Sequence, residues 1–138
     1  KADATVVQAL GELMPQLSQS APPPTEEEIT EIINHDAATL LLAREGENIL
    51  GSMTLFLFPI PTGLRAWIED VVVDENCRGR GVGEALNRRA IELALAAGAK
   101  SIDLTSRPSR SAANRLYQRL GFVARETNIY RYEARTIE

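Results

Sequence analysis

Residues Val71 to Leu86 read VVVDENCRGRGVGEAL. Three valines end in an acidic turn, and Arg78-Gly79-Arg80-Gly81-Val82-Gly83 then leads into a helical pattern. Glycine costs conformational entropy on folding, so three glycines in five residues point to a close approach to the backbone. The first N–H groups of a helix have no partner within the helix, and together with the helix dipole they make an anion site suited to phosphate. Gly79, Gly81 and Gly83 let a ligand lie against the backbone, and Arg78 and Arg80 add positive charge. No Gly-Lys-Ser/Thr follows, so the loop is not a P-loop. Gly79-x-Gly81-x-Gly83 also departs from the Gly-x-Gly-x-x-Gly spacing of a dinucleotide fingerprint. The expectation is a diphosphate held in another way; the plain alternative is a glycine-rich turn with no ligand.

The loop needs elements to hold it. ATVVQAL reads as a short strand, and GELMPQLSQS as a helix with Pro15 early in it. APPPT is a stiff connector. Thr25 and Glu28 form a capping box that opens the helix EEEITEIINH. ATLLLAREG and NILGSMTLFLF read as a hairpin around Glu45-Gly46-Glu47-Asn48, after which FPIPTG breaks the pairing. RAWIEDVVV is the next strand. From Val82 a helix runs to Gly98, with Val82, Ala85, Leu86, Ala90, Leu93 and Ala97 on one apolar face. SIDLTS is a strand. Beyond Pro108 and Ser109 a second amphipathic helix places Ala113, Leu116, Tyr117 and Leu120 together and ends at Gly121. FVARETNIYRYEA closes as a strand or hairpin. The order predicts a mixed α/β sheet with packed helices.

The 138-residue length suits a single domain, 1–138, and the 44% hydrophobic and 25% charged content is ordinary for a globular protein. No apolar run reaches the length of a membrane span. The start KADATVVQAL lacks the apolar core of a signal peptide, and position 1 is Lys rather than Met, which leaves room for a leader ahead of it. The single cysteine, Cys77, excludes an intrachain disulfide and fits a reducing compartment, most simply the cytoplasm. The net charge of −4 hides a split: residues 1–77 carry −10 and residues 78–138 carry +6. A cation would suit the first part and an anion the second.

Arg78-x-x-Gly81-x-Gly83 after Val71-Val72-Val73 resembles the acetyl-CoA signature of the GNAT superfamily of N-acetyltransferases. A second signature of that family appears in NRLYQRLGF as Asn114, Tyr117, Gly121 and Phe122. Order and spacing match across residues 66–122. The resemblance implies an α/β fold with a mixed, mostly antiparallel central sheet flanked by about four helices. It implies an acetyl-CoA-dependent N-acetyltransferase working by direct attack of a primary amine. Backbone groups of Val71 and Val73 would pair with the pantetheine arm, with Val72 between them. Gly79, Arg80, Gly81, Val82, Gly83 and Glu84, with Arg78, would hold the diphosphate, and Asn114 would contact the cofactor arm. The Val71 N–H would polarise the thioester carbonyl. Arg88, Arg89, Arg107, Arg110, Arg115 and Arg119 lie in the segments around such a polyanion.

Acyl transfer to an amine needs a neutral nucleophile, a donor for the oxyanion and a proton for the leaving thiolate. Tyr117 is the candidate acid, which does not prevent it from burying its ring in a core. Glu69 is the candidate base, directly or through water. It lies two residues before Val71, so regular alternation puts both on one face, a count that a bulge would disturb. Histone-type relatives carry their glutamate at the position of Trp67; a Leu-Glu-Asp run in polyamine-type relatives matches Ile68-Glu69-Asp70. The bland alternative for Glu69 is an exposed carboxylate in a salt bridge. Cys77 and His35 could make a nucleophile pair but read as structural, and one Cys and one distant His support no metal site. The competing function is a non-catalytic acyl-CoA-binding sensor or regulatory module. An acidic chain with few aromatics argues against nucleic acid. The acceptor is an amine, of a small molecule or a protein, and Glu26 to Glu28 with Glu31 would suit a cationic one. The resemblance also allows a homodimer.

Overall fold

Asp3 opens the first helix by accepting from Val6 N at 2.9 Å. In the computed structural model, which describes residues 2–134, this helix is α1, Ala4–Leu17. The Val6-Val7 pair that reads as a strand is overruled by helical spacing: Val6, Leu10 and Leu13 are the residues α1 buries. Pro15 lies in its last turn, not its first. The capping box forms as expected, with Thr25 N donating to Glu28 Oε1 and Glu28 N to Thr25 Oγ1, and it starts α2, Glu26–Asn34.

Three strands follow: β1, Ala38–Glu45, β2, Asn48–Ile60, and β3, Gly63–Val73. They pair antiparallel in sequence order. FPIPTG does not break the pairing, because Pro59 opposes Leu64 and Ile60 opposes Gly63. The reason is one of edges. Leu57 N donates to Ala37 O on the β1 side, so alternation aims position 59 the same way. There β1 has already ended, so Pro59 removes no ladder bond.

Ala2, Val6, Leu10 and Ile29 form a core cluster with Leu40, Leu42 and Ile49 against it, so α1 and α2 cover one sheet face. The other face takes α3, Val82–Ala96. The two meet so closely that a Cβ on Gly51 would stand 3.0 Å from Val82 Cγ1 and 3.2 Å from Leu86 Cδ1. The stripe α3 buries is Val82, Leu86, Asn87, Ala90 and Ala94, rotated from the expected one: Ala85 and Ala97 are exposed and Asn87 is inside. SIDLTS contributes only β4, Ile102–Asp103, which runs parallel to β3. The contacts divide the chain into two units, Lys1–Arg107 and Pro108–Glu138. The second holds α4, Ser111–Arg119, where Tyr117 and Phe122 meet edge to face at 5.8 Å. Residues 122–134 form no strand or hairpin: Val123, Ile129, Tyr130 and Tyr132 stay exposed, with no neighbouring strand among the described residues to give the alternation a buried face. No described helix is long and apolar enough to cross a membrane.

β3 carries one residue too many for β2. Ser52 opposes Val72 and Thr54 opposes Glu69, so Met53 faces both Asp70 and Val71. Asp70 takes up the excess at φ 54°, a left-handed conformation that Asp tolerates and β-branched residues do not. Asp70→Val is therefore expected to destabilise the protein by about 1–2 kcal/mol, whereas Asp70→Gly is expected to be neutral or stabilising. Urea unfolding of the two variants checks this; equal stabilities would mean that the bulge is not held in that conformation.

Candidate functional site

The bulge decides what the edge of β3 offers. Ala66 N donates away from β2, to Ser101 O at 3.0 Å, yet Asp74 N donates toward it, to Leu50 O at 2.8 Å. Both positions are even, and an unbroken strand would point them the same way. The extra residue switches the alternation between them. The N–H and C=O groups of Val71 and Val73 therefore point away from β2. Pairing with β4 extends only through Ala66↔Ile102 and Trp67↔Asp103. From Glu69 to Val73 that edge has no strand beside it among the described residues. It is a short row of backbone donors and acceptors in a half-buried setting, able to take an extended amide-bearing ligand as a further strand.

The same switch separates Glu69 from Val71. Opposed residues share a face, and Trp67, Glu69 and Val72 oppose Phe56, Thr54 and Ser52. All six thus lie on the side of α1 and α2, while Val73 opposes Gly51 on the α3 side. The expectation that Glu69 and Val71 share a face fails because of the extra residue. Glu69 is exposed, and its Oε2 accepts from Trp67 Nε1 at 2.7 Å, a charge-assisted bond that holds the carboxylate in one orientation. Next to it, Asp70 is accessible, yet partial desolvation and then the like charge of Glu69 raise its carboxyl above the ordinary 3.8. Sequence reading treated Trp67 only as a position where some relatives hold an acid. The signal for its role was Trp-x-Glu, two residues apart on one strand face.

The loop after β3 is tied at several points. Asp74 Oδ1 accepts from Asn76 N, its carbonyl accepts from Cys77 N, and Gln16 of α1 accepts from Glu75 N at 2.9 Å. Cys77 is buried, with Arg80 Nη1 3.9 Å from its sulfur. Arg80 also pairs with Glu45 of β1 at 2.5 Å, so the loop's second arginine is anchored to the sheet. Gly79 and Gly81 have φ 81° and 80°. A Cβ on either would meet nothing within 4 Å: the turn requires glycine for its backbone, and the space in front of it is open. Gly81 is the N-cap of α3 and has no side chain to cap with. The helical ladder starts only at Ala85 N→Gly81 O, so the preceding amides point out of the helix end. Arg78 is exposed, while Arg88 pairs with Glu84 and Arg89 with Glu92. This combination of open glycine turn, uncapped helix end and flanking guanidinium fits a diphosphate.

His35, the C-cap of α2, accepts from Ala37 N through Nδ1, a local structural use. Nearby, a cavity of about 310 Å³ is lined by Glu28, Glu31, Ile32, His35, Ala38 and Phe56. Ala38, Phe56 and Trp67 are consecutive register partners across β1, β2 and β3, so this cavity opens on the sheet face that carries Glu69. In the second unit, Tyr117 and Asn114 sit on α4. Tyr117 is buried and Asn114 half-buried. Burial raises the Tyr117 phenol above its ordinary 10.0, with Arg110 opposing the shift, so the hydroxyl stays protonated at neutral pH.

Residues 6–122 match the family model described as Acetyltransferase (GNAT) family. Glucosamine 6-phosphate N-acetyltransferase 1 of Oryza sativa is 32% identical over 73% of this chain and 57% of its own length. L-2,4-diaminobutyric acid acetyltransferase of Halalkalibacterium halodurans is 29% identical over 67% of this chain and 47% of its own. The chain thus spans about half the length of these curated relatives. Among solved structures, a putative acetyltransferase from Agrobacterium tumefaciens superposes with a TM-score of 0.84 at 28% identity, covering 96% of this chain and 98% of that one.

Because the folded state keeps the Tyr117 proton longer than the unfolded chain does, stability is expected to fall as pH rises above 10.0 toward the raised value. Phenolate absorbance should show a late-titrating tyrosine that disappears in Tyr117→Phe. A titration unchanged by that substitution would contradict the burial.

Proposed function

The chain belongs to the GNAT acetyltransferase family, and we propose that it is an acetyl-CoA-dependent N-acetyltransferase. The observation that carries this reading is the pairing of an open glycine turn at an uncapped helix end with the free backbone edge of Val71 and Val73. The turn with Arg78 would hold the diphosphate, and the edge would hold the pantetheine amides. When bound, acetyl-CoA supplies an acyl thioester whose carbonyl carbon accepts a nitrogen and whose sulfur departs as a thiol.

Glu69, oriented by Trp67, takes the proton that the attacking amine must lose, directly or through one water. The Val71 N–H, turned outward by the bulge, donates to the carbonyl oxygen as it gains charge. Tyr117 gives the proton that the departing sulfur needs; its burial keeps the phenol protonated at neutral pH, the state this role requires. Asn114 contacts the cofactor arm. The acceptor is a cationic amine. Glu28 and Glu31 line the cavity on the Glu69 face of the sheet, and one relative is named for a diamino acid.

A coupled thiol-release assay with a panel of mono- and diamines tests the reading. Glu69→Gln is expected to lower kcat by roughly 10²–10⁴-fold while leaving CoA affinity unchanged. Tyr117→Phe should lower turnover, again with affinity nearly intact; a large loss of affinity would make Tyr117 structural. Gly81→Glu should abolish CoA binding, since it fills the open space before the helix end with a carboxylate. If acetyl-CoA binds and neither the amines nor proteins in a lysate become acetylated, the chain is instead a non-catalytic acyl-CoA-binding module.

A further inference from the structure

α3 turns an apolar stripe toward the sheet, except at Asn87. This residue is 0% exposed, within the row formed by Val82, Leu86, Ala90 and Ala94. Its Nδ2 donates to Gly83 O at 2.8 Å. Its Oδ1 is buried with no hydrogen-bond partner among the described residues. An unpaired buried amide oxygen is a standing cost, and an apolar side chain of similar size would remove it. The single bond that Asn87 does make goes to the peptide joining Gly83 to Glu84. Back-bonding of this kind, to the carbonyl four residues earlier, does not by itself stabilise a helix. It gives the Gly83 carbonyl a second donor besides the helix's own ladder bond.

The position of that peptide gives the bond a consequence. It lies in the first turn of α3, ahead of the point where the ladder begins at Ala85, and its N–H end belongs to the anion-facing terminus. A carbonyl that accepts hydrogen bonds polarises its own peptide and strengthens what the N–H end can donate. We propose that Asn87 is a positioning residue for the diphosphate: it orients and polarises the Gly83–Glu84 peptide from behind, out of reach of the ligand itself. The inference rests on the acetyl-CoA reading above.

The test compares two acyl donors in the wild type and in Asn87→Leu. Acetyl-CoA carries the diphosphate; S-acetylpantetheine carries the same thioester and arm without it. With acetyl-CoA, kcat/KM is expected to fall about three- to tenfold through KM. With S-acetylpantetheine it should not change. The thermal midpoint of the ligand-free variant should equal or exceed that of the wild type, because the unpaired oxygen is gone. Asn87→Ala, which leaves the space unfilled and gives the Gly83 carbonyl no side-chain donor, must show the same split between donors even if it is less stable. Equal losses with both donors would make Asn87 an ordinary packing residue and overturn the proposal, as would no loss with either. A wild-type protein that neither binds CoA nor transfers acetyl overturns the proposed function and this inference together. An active wild type with an indistinguishable Asn87→Leu overturns this inference alone.

Discussion

One surplus residue in β3 governs the arrangement of the first unit. Met53 opposes both Asp70 and Val71, and that mismatch reverses the sense of every amide after it. Before the bulge, Ala66 donates outward to the β4 segment; after it, Asp74 donates inward to β2. The strand can thus bond to β4 at one end and offer Val71 and Val73 to a ligand at the other. Ordinary alternation before the bulge keeps the Glu69 carboxylate on the face with Trp67 and Thr54, and the reversal after it leaves Val71 on the opposite one; the Glu69 face bears the cavity lined by Glu28 and Glu31. A left-handed backbone at Asp70 and the crowding of two carboxylates accompany it. Strain of this kind persists only where the surroundings over-determine it.

Local signals in the sequence were read correctly because their causes are local. The Thr25–Glu28 capping box, the turn at Gly46, the stop at Gly121 and the glycine loop opening α3 each depend on a few adjacent residues. What escaped depends on partners. A bulge is a property of two strands, so IEDVVV alone looks like even alternation. Pro59 looks like a breaker until the neighbouring strand is seen to end first. Val6-Val7 carries strand propensity, but the helix through them has Ile29 of α2 in the same core cluster. Residues 122–134 have strand composition and no strand to join among those described. Asn87 was passed over because it interrupts an apolar row without breaking its period.

Of the arginine pairs on the glycine loop and α3, Arg80–Glu45 bridges the acidic and basic parts of the chain, while Arg88–Glu84 and Arg89–Glu92 lie within the basic part and leave its net charge unchanged. These are exposed pairs and add little stability. The Arg80 pair differs in what it joins: with the Gln16 and Leu50 contacts, it ties the glycine loop to a helix and two strands. Such ties lower the entropy lost when a ligand is fixed there.

The chain has one tryptophan, and its indole N–H is bonded to the Glu69 carboxylate. That places the protein's sole indole fluorophore in direct contact with the group assigned to take up the proton. The charge on that carboxylate, and the polarity of whatever lies against it, act on the excited indole dipole. The hydrogen bond that orients this carboxylate thus also couples its surroundings to an optical signal, with no label and no competing indole elsewhere in the sequence.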